Sequence, residues 1–591
     1  MCGIAGIVGF DVPAAAHADR LRIMQRKLAH RGPDGTGEAF VDGAALACTR
    51  LAMVDHDGGA QPMVSPDGRW TLVYSGEVYN HLRLRTALDW PFRTRSDTET
   101  VLAAFARWGS ACVGRLNGMF SFFVWDHQQQ RGFAARDRLG VKPFAYALGA
   151  DGRELRFASE AKALVAAAGC PPAADPDAVI EYLVAPCFSG VDRSPFAGVR
   201  YLPPGHTLSF DRDGADIKRW WSWAPPAADD DDGLAAPATT TLAFELREHL
   251  ATAVGRTLQA DAPLGLFLSG GLDSSAIASY ARLPSFTVVF EGQASYDYAR
   301  STIVCSDDTP FAHLLRDHLG IAGTDVAVPR AEIAGDLARI AIANDALPAW
   351  EQEIAQHRLA QAAARSVKAV LVGDAADETH YGYHFLLDPI ATSDPAAILH
   401  RLGSVPIAAA WGKDPVAAAG ARYRELAEAA GERWSTPRQR VRATTRLIVE
   451  RWLPRLLHNG DIHTMAASLE ARVPFADIDL LQLAQRVPPA AALRDGVEKH
   501  VLREALRHRL PERIRSRRKS ALPKDQGVQV VYQEEARRVL REPPALVRDM
   551  VDLRRLAPLA DAPLLTESER AQLFRVICLA HWAGHYDVRS P

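Results

Sequence analysis

Residues 264–275 combine a short apolar run with a turn of glycines, hydroxyls and one acid, which suits phosphate chemistry. The run Leu264-Gly265-Leu266-Phe267-Leu268 ends at Ser269-Gly270-Gly271-Leu272-Asp273-Ser274-Ser275. Glycines let a backbone turn tightly and approach an anion, and the hydroxyls and the N–H groups of a following helix add donors. Asp273 adds a hard oxygen ligand of the kind that magnesium prefers. The stretch predicts a buried strand, a phosphate-binding turn and a helix, without the Gly-Lys-Ser/Thr ending of a Walker A loop.

A second apolar run ends in a turn that carries acids, Val370-Leu371-Val372-Gly373-Asp374-Ala375-Ala376-Asp377-Glu378. Alone, this pattern suits equally well a helix start that acidic side chains stabilise. Together with the first turn, it would place a second oxygen ligand opposite Asp273 across a magnesium pyrophosphate. The two turns therefore predict a nucleotide site at the carboxyl ends of parallel strands.

The chain begins Met1-Cys2-Gly3, so removal of the initiator methionine would leave cysteine as the first residue. Its free α-amino group, with a pKa of about 8, could then act as the base for its own thiol. A cysteine at position 2 alone usually has no function. Four polar stretches accompany it, each of which alone suits a loop between strands: Arg31-Gly32-Pro33-Asp34-Gly35, Arg50-Leu51-Ala52-Met53-Val54-Asp55, Tyr74-Ser75-Gly76-Glu77-Val78-Tyr79-Asn80 and Arg95-Ser96-Asp97-Thr98-Glu99-Thr100.

Cys2 and these four stretches together resemble the glutaminase domain of class II glutamine amidotransferases. The resemblance implies an α+β N-terminal-nucleophile fold, αββα, in which two stacked antiparallel sheets lie between helices. It implies that Cys2 attacks the side-chain amide of glutamine, releases ammonia and leaves a glutamyl thioester for water to hydrolyse. Arg50 would hold the α-carboxylate of glutamine, Asp97 its α-ammonium group, and Glu77 would belong to the same glutamine site.

One position departs from that family. Its members usually have Asn-Gly-Glu where this chain has Ser75-Gly76-Glu77, and the Asn amide and the Gly N–H form the oxyanion hole there. The resemblance therefore assigns the oxyanion hole to Ser75 and Gly76. Serine is shorter, although its hydroxyl can donate, and loss of one such donor costs about 10²–10³ in rate. We expect glutaminase activity that is weaker than in relatives with asparagine.

Further stretches through Leu202-Pro203-Pro204-Gly205-His206 keep the order and spacing of glutamine-hydrolysing asparagine synthetases, and the first turn resembles the loop of ATP pyrophosphatases. The C-terminal part is therefore expected to be an α/β parallel-sheet ATP-pyrophosphatase domain with added helices. The resemblance makes Asp273 and Asp377 magnesium ligands, places Asp374 near the acyl-adenylate, and makes Lys499 a catalytic residue that steadies charge on phosphate. It assigns ATP binding to Leu268, Ser269, Gly270, Gly271, Asp273, Ser274, Val288 and Gly373.

The implied reaction is the ATP-dependent amidation of aspartate to asparagine by glutamine-derived ammonia. It passes through β-aspartyl-AMP, releases AMP, pyrophosphate and glutamate, and needs ATP as substrate and Mg²⁺. The Thr379-His380 pair and the loosely matching Asn344–Trp350 segment depart from the family near the expected acceptor site. Three alternatives stay open: amidation of another carboxylic acid in a specialised pathway, an intramolecular amide-forming ligase, and a catalytically silent scaffold. Retention of Cys2 argues against the intramolecular ligase. Retention of Cys2, Asp273, Asp377 and Lys499 together argues against the silent scaffold.

The elements that position these residues must form more than one domain, because 591 residues exceed a single core. An Ala-, Pro- and Asp-rich segment around Asp229–Asp232 suits a solvated linker. We predict a glutaminase domain at 1–212, a linker at 213–240 and an asparagine synthetase-like domain at 241–591. Within the latter, Thr241–Thr257 has helical periodicity, Ser285–Phe290 suits a strand, and the apparent insertion Glu291–Cys305 suits a surface loop better than a flap.

Net charge, apolar runs and cysteine spacing narrow the classes of partner molecule and the compartment to expect. A net charge of -3 gives no electrostatic reason to expect nucleic acid or an anionic membrane. No apolar run reaches about 18 residues and the N-terminus lacks a signal-peptide layout, which predicts a cytoplasmic protein. Seven cysteines without Cys-x-x-Cys spacing suit reduced thiols. The expected partners are small molecules, namely glutamine, ATP and the acceptor acid, and the family's frequent dimers suggest a homodimer.

Overall fold

The computed structural model describes residues 2–224, 239–299, 301, 304–394, 397, 399, 403–411, 414–521, 525 and 527–591. The acidic segment Asp229–Asp232, which we expect to be a linker, lies outside the described residues.

Two six-stranded antiparallel sheets form the N-terminal domain. The first has the order β10-β8-β9-β1-β3-β2 and the second β12-β11-β7-β6-β5-β4. The strands are β1 (Cys2–Gly9), β2 (Gly35–Val41), β3 (Ala44–Arg50), β4 (Met63–Val64), β5 (Trp70–Val78), β6 (Gly118–Asp126), β7 (Arg131–Arg136), β8 (Ala145–Leu148), β9 (Glu154–Ala158), β10 (Arg200–Tyr201), β11 (His206–Asp211) and β12 (Gly214–Arg219). The helices of this part are α1 (Ala18–Lys27), α2 (His81–Arg85), α3 (Asp97–Trp108), α4 (Ala161–Ala166) and α5 (Pro176–Val184).

Apolar side chains explain why these sheets stack. Ile4 of the first sheet and Phe123 of the second belong to one buried cluster between the sheets. The outer face of the second sheet packs on Val101 of α3, and the outer face of the first packs on Leu21 of α1. Burial of each such side chain contributes about 1.5–3 kcal/mol. The expected αββα arrangement is confirmed.

The N-terminal domain extends past residue 212, where the sequence suggested its end. Strand β12 pairs antiparallel with β11, with Leu208 opposite Ile217, and so completes the edge of the second sheet. The Asp211–Gly214 connection is the turn of the hairpin that these two strands form.

The C-terminal domain is built on a parallel sheet with the order β15-β14-β13-β16-β17. Its strands are β13 (Leu264–Phe267), β14 (Ser285–Phe290), β15 (Gly323–Val328), β16 (Ala369–Leu371) and β17 (Glu470–Arg472). The helices are α6 (Thr239–Thr257), α7 (Leu272–Ala278), α8 (Thr309–Leu319), α9 (Ile333–Ala343), α10 (Gln352–Ala363), α11 (Ala376–Thr379), α12 (Pro415–Ala429), α13 (Pro437–Leu447), α14 (Leu453–Met465), α15 (Ile478–Arg486), α16 (Pro489–Ala492), α17 (His500–Ala505), α18 (Glu512–Arg515), α19 (Val528–Arg541), α20 (Ala545–Met550), α21 (Leu553–Leu556) and α22 (Glu567–Tyr586). The parallel α/β sheet with added helices is confirmed.

The strand order decides where the site lies. Strands β13 and β16 are neighbours, although about a hundred residues separate them in the chain. Their carboxyl ends therefore meet at one edge of the sheet, which is where ligands bind in open α/β sheets. Of the helices that the structure describes, none is both long enough and apolar enough to cross a membrane.

Candidate functional site

Cys2 opens strand β1 and belongs to the cluster between the two N-terminal sheets. Only 6% of the residue is exposed. The Nε2 atom of Gln61 lies 3.7 Å from Sγ. The Cys2 carbonyl oxygen accepts hydrogen bonds from Ser75 Oγ at 2.6 Å and from Arg31 Nε at 3.4 Å. The backbone of Cys2 is thus fixed, and its sulfur faces an amide.

A second thiol tunes the first. The neighbouring Cys48 thiol is the main influence that lowers the pKa of Cys2 to about 7, against the opposing effect of burial. The positive amino terminus and Arg50 act in the same direction as Cys48. The interaction with Cys2 and burial raise the pKa of Cys48 well above its ordinary value, so Cys48 stays protonated, and its Sγ donates to the Thr49 carbonyl at 3.6 Å. Cys2 is the thiol of this pair that ionises near neutrality.

We expect the alkylation of Cys2 by iodoacetamide to rise with pH around a midpoint near 7, because the thiolate is the reactive form. Replacement of the donor in Cys48→Ala should move that midpoint upward and slow the reaction at pH 7. The matched variant Cys48→Ser keeps a donor and should stay near the wild-type midpoint. The site of alkylation is read by mass spectrometry, and an unchanged midpoint in Cys48→Ala would contradict the assignment.

Glu77 and Asp97, both assigned to glutamine binding, are buried close to each other. Asp97 begins α3, and its Oδ2 accepts hydrogen bonds from the Tyr74 hydroxyl at 2.7 Å and the Val78 N–H at 2.9 Å. Burial and the charge of Asp97 raise the pKa of Glu77 well above its ordinary value, while Arg472, 3.6 Å away, opposes them. Two neighbouring acids form an anionic site that suits an ammonium group.

Arg50 lies opposite Cys2 in the β1–β3 register. Its guanidinium donates to the backbone carbonyls of Asp55, at 2.6 Å, and of His56. In this arrangement Arg50 braces the loop that follows β3. Its predicted contact with the α-carboxylate of glutamine stays a prediction.

Ser75 and Gly76 lie in β5 opposite Ser121 and Phe120 of β6. The Ser75 hydroxyl donates to the Cys2 carbonyl at 2.6 Å. Its proton is therefore directed at the protein backbone and not at the space beside the thiol. The short serine side chain meets a carbonyl of β1 in the facing sheet, and its expected place in the oxyanion hole stays a prediction.

The first phosphate-type turn follows β13 as predicted. Gly270 has a φ of 66°, and a Cβ there would lie 2.4 Å from the backbone nitrogen of Ala312 in α8, so this position requires glycine. The Gly271 N–H donates to Ser269 Oγ at 3.3 Å, and the hydroxyls of Ser269 and Ser274 lie 3.2 Å apart. The turn thus gathers hydroxyls and N–H groups at the end of the strand.

The second turn, after β16, touches the first. A Cβ on Gly373 would lie 3.1 Å from the Cβ of Asp273 and 3.2 Å from the backbone nitrogen of Ser274. Ala375 adopts a left-handed conformation with a φ of 73° before α11 carries Asp377 into the site. The close approach of the two turns brings the two predicted magnesium ligands together.

Lys499 links the two turns through its ammonium group. Its Nζ lies 2.5 Å from carboxylate oxygens of both Asp273 and Asp377. Burial favours the neutral acid, but Lys499 and Lys519 outweigh it and hold the pKa of Asp377 well below its ordinary value. For Asp273, burial and the charge of Asp377 prevail over Lys499, and the pKa is raised. Four charged groups therefore form one compact cluster.

The sequence has a basic run, Arg517-Arg518-Lys519, and the fold brings Lys519 into this cluster. Lys519 pairs with Asp377. Burial lowers the pKa of Lys519, but Asp377 and Asp273 outweigh it and raise the pKa above its ordinary value. Arg517 instead pairs with Asp308 at 2.5 Å. The basic run indicated a source of cations, but only the fold shows which of them faces Asp273 and Asp377.

A cavity of ≈ 1420 Å³ opens at these turns. It is also lined by Tyr296, Asp297, Ser301 and Cys305, so the described part of the expected surface loop faces the cavity like a flap. Gly270, by contrast, packs on α8. The predicted residues that line the cavity are Leu268, Ser269, Gly271, Asp273, Ser274, Val288, Gly373, Asp374, Asp377 and Lys499.

Asp374 faces the same cavity next to the charged cluster. Burial raises the pKa of Asp374 to about 6, with Lys519 opposing and Asp377 and Asp273 adding to the rise. An acid with this pKa can exchange a proton near neutrality.

The donors at Asp273 and Asp377 fit a magnesium ion. The two carboxylates converge on one point, where each lies 2.5 Å from the same ammonium nitrogen. Within the ranges that the structure covers, no group of three or more His, Cys, Asp or Glu side chains is arranged for a metal. Phosphate oxygens of the substrate would therefore complete the coordination, as is usual for magnesium at nucleotide sites.

Buried ion pairs join the two domains between the two sites. Asp461 of α14 lies 2.8 Å from Arg31 Nη2 and 3.0 Å from Lys142 Nζ, and all three side chains are at most 1% exposed. Arg31 also pairs with Glu160 at 2.9 Å. Ser468 adds a further contact between the domains, because its Oγ donates to the His30 carbonyl at 2.6 Å.

We expect Asp461→Leu to lower the free energy of unfolding by about 3–5 kcal/mol, because it leaves the buried Lys142 without its acid and Arg31 with Glu160 alone. Urea-induced unfolding followed by circular dichroism measures this change. The control Glu38→Gln removes a more exposed pair with Arg22 and should cost less than about 1 kcal/mol. Equal effects of the two substitutions would show that the buried pairs do not hold the domains.

Comparisons with known proteins agree with this geometry. The family described as "Glutamine amidotransferase domain" matches residues 1–221, and the family described as "Asparagine synthase" matches residues 245–584. Asparagine synthetase (glutamine-hydrolyzing) 3 of Bacillus subtilis is 31% identical over 89% of this chain and 87% of its own, and asparagine synthetase (glutamine-hydrolyzing) 1 of the same species is 27% identical over 88% and 87%. A putative asparagine synthetase (glutamine-hydrolyzing) of Mycobacterium bovis is 31% identical over 88% and 87%. The chain belongs to the family of glutamine-hydrolysing asparagine synthetases.

Proposed function

We propose that this enzyme amidates aspartate to asparagine, using ATP to activate the acid and glutamine as the source of ammonia. The observation that carries the proposal is the convergence of Asp273, Asp377, Lys499 and Lys519 at the carboxyl ends of two adjacent parallel strands, inside one cavity. Such a cluster suits the binding of a triphosphate and the departure of pyrophosphate.

In the first step, an oxygen of the aspartate β-carboxylate attacks the α-phosphorus of ATP, and the bond to pyrophosphate breaks. The Ser269–Ser274 turn offers hydroxyls and N–H groups to the leaving pyrophosphate. Lys499 and Lys519 can exchange their carboxylate contacts for phosphate oxygens and so offset the growing negative charge. Magnesium, held by Asp273 and Asp377, would neutralise further charge on the leaving group. The product is β-aspartyl-AMP.

In the second step, ammonia attacks the acyl carbon, and the bond to AMP breaks. The nitrogen must lose a proton as it becomes an amide. Asp374 faces the cavity and has a pKa raised to about 6, which supports it as the group that takes this proton. Leu268 and Val288 line the apolar part of the cavity and suit the adenine ring.

The test measures AMP and glutamate released by the purified protein from ATP, Mg²⁺ and glutamine, with and without aspartate. We expect AMP that depends on aspartate, together with an equal amount of glutamate. Glutamate release without aspartate-dependent AMP would remove aspartate as the acceptor and leave the glutamine half of the proposal standing.

One feature of the cavity favours a second candidate, the amidation of a larger carboxylic acid. Four aromatic residues line the wall beyond Asp377: Trp350, Tyr383, Phe385 and Trp452. The rings of Tyr383 and Phe385 are stacked with centroids 5.1 Å apart, and Phe385 and Trp452 are stacked at 6.1 Å. Aromatic faces of this kind suit an apolar or aromatic substrate better than the small polar side of aspartate.

A panel of acids in the same AMP assay distinguishes the two candidates. Aspartate, glutamate and aromatic carboxylic acids are compared at equal concentration, each with and without glutamine. The first candidate predicts the highest kcat/KM with aspartate, and the second predicts it with an aromatic acid. A Trp452→Ala variant should lower kcat/KM for an aromatic acceptor and leave that for aspartate nearly unchanged.

A further inference from the structure

Gln61 is the polar side chain whose amide meets the thiol of Cys2. Its Nε2 lies 3.7 Å from Sγ, and 7% of the residue is exposed. Its Oε1 accepts a hydrogen bond from the Tyr74 N–H at 2.6 Å. Because a backbone N–H can only donate, this bond fixes which end of the amide is the oxygen. The NH₂ end must therefore face the sulfur.

The backbone of Gln61 is fixed as well. Its carbonyl oxygen lies so close to β2 that a Cβ on Gly37 would be 2.0 Å away from it. Tyr74, which orients the amide, lies in β5 directly before Ser75. The Gln61 amide is thus held from two strands, as a preorganised donor requires.

The donor that the sequence pointed to is engaged elsewhere. Ser75 Oγ donates its proton to the Cys2 carbonyl at 2.6 Å. A hydroxyl has one proton, so it cannot donate to a developing oxyanion without giving up this bond. In this arrangement the Ser75 hydroxyl is engaged, and Gln61 Nε2 is a side-chain donor that lies near Sγ.

We propose that Gln61 Nε2 is this donor, in a glutaminase site whose nucleophile is Cys2; the inference rests on that assignment of Cys2. The oxygen of a tetrahedral adduct is two bonds from the sulfur. A donor 3.7 Å from Sγ can therefore reach the distance of about 2.7–3.1 Å that oxyanion stabilisation needs. Gln61 would then contact the reacting atoms and be a catalytic residue.

The step balances without a further reactant. With Met1 removed, the thiol proton of Cys2 passes to its own α-amino group, and a sulfur lone pair forms the bond to the amide carbon of glutamine. The π electrons of the carbonyl move to the oxygen, which accepts the N–H of Gln61. When the carbonyl reforms, the C–N bond breaks, and ammonia leaves with the proton held by the α-amino group. The glutamyl thioester remains for hydrolysis.

The test compares Gln61→Met and Gln61→Glu with the wild-type enzyme in glutamine hydrolysis. Methionine has a similar size and no donor, and glutamate keeps the acceptor for Tyr74 N–H but loses the donor toward sulfur. We expect kcat to fall by about 10²–10³-fold in Gln61→Met, with KM for glutamine changed by less than about threefold. The matched control is Gln25→Met, because the Gln25 amide donates to backbone carbonyls of Gly37 and Cys48 and does not meet Sγ. It should stay within about threefold of the wild type.

Two further readouts separate stabilisation of the oxyanion from placement of the thiol. The γ-aldehyde analogue of glutamine forms a hemithioacetal with a thiol, so its Ki should rise by the same factor as kcat falls. Alkylation of Cys2 by iodoacetamide develops no such oxyanion and should change little. A loss of alkylation equal to the loss of kcat would instead make Gln61 a positioning residue and overturn the proposal.

Folding of the variants is checked by AMP formation with ammonia in place of glutamine, which needs no glutaminase site. If the wild-type enzyme is active and Gln61→Met keeps its full kcat, the role of Gln61 is overturned and the assignment of Cys2 stands. A wild-type enzyme that neither hydrolyses glutamine nor binds the aldehyde overturns the assignment of Cys2 and this inference with it.

Discussion

Cys2→Ala is expected to lower glutamine hydrolysis by about 10⁴-fold or more, while AMP formation with free ammonia stays within about twofold of the wild type. The substitution removes the sulfur that forms the thioester, and loss of a nucleophile has effects of this size in enzymes that form covalent intermediates. The synthetase cavity lies in the other domain and keeps all of its charged groups. Glutamate release and AMP formation are measured on the same preparation.

The control for this variant is Cys170→Ala, which removes an exposed thiol. It should change neither activity. If Cys2→Ala retained glutamine-dependent activity, the thiol would not be the nucleophile, and the lowered pKa of Cys2 would need another explanation.

Lys499→Met is expected to lower ATP-dependent AMP formation by about 10³-fold or more. Two effects add in the same direction. The variant loses the cation that offsets charge on the phosphates, and it leaves Asp273 and Asp377 facing each other with Lys519 as their remaining lysine. Because like charges at short range favour protonation of one acid, a pair of magnesium ligands would also be weakened. Glutamine hydrolysis should persist, since Cys2 is untouched.

The matched control is Lys368→Met. Lys368 also pairs with an acid, Asp34 at 2.8 Å, but its side chain is 36% exposed and lies away from the cluster. This control should keep AMP formation within about twofold of the wild type. An activity above a tenth of wild type in Lys499→Met would remove Lys499 from the chemistry.

Both domain folds could be predicted from the sequence, and the residues proposed for both sites lie in local stretches. The glycines, hydroxyls and acids of the two turns lie within short stretches, and the requirement for glycine at Gly270 follows from one backbone conformation. The αββα fold and the parallel sheet followed from the resemblance that Cys2 and these turns carry. The end of the first domain could not be read locally, since β12 joins the second sheet through its pairing with β11.

Contacts between distant segments were decided by the tertiary structure alone. The sequence marked Ser75 as the replacement for an oxyanion donor, yet the fold turns its hydroxyl to the Cys2 carbonyl and brings Gln61 to the sulfur. The sequence shows Lys519 as part of a basic run, and the fold pairs its ammonium group with Asp377.

The physical reason is the same in each case. Residue type and spacing determine which groups a turn can present, and so the sequence by itself determined the candidates, namely a cysteine at position 2, a turn of glycines and hydroxyls, and a pair of acids. The direction of a hydroxyl or an ammonium group depends on which acceptor lies nearest, and that acceptor comes from another strand or helix. The packing of β1 against β5 decided the acceptor of the Ser75 hydroxyl. The packing of the two turns around Lys499 decided which acids its ammonium group contacts.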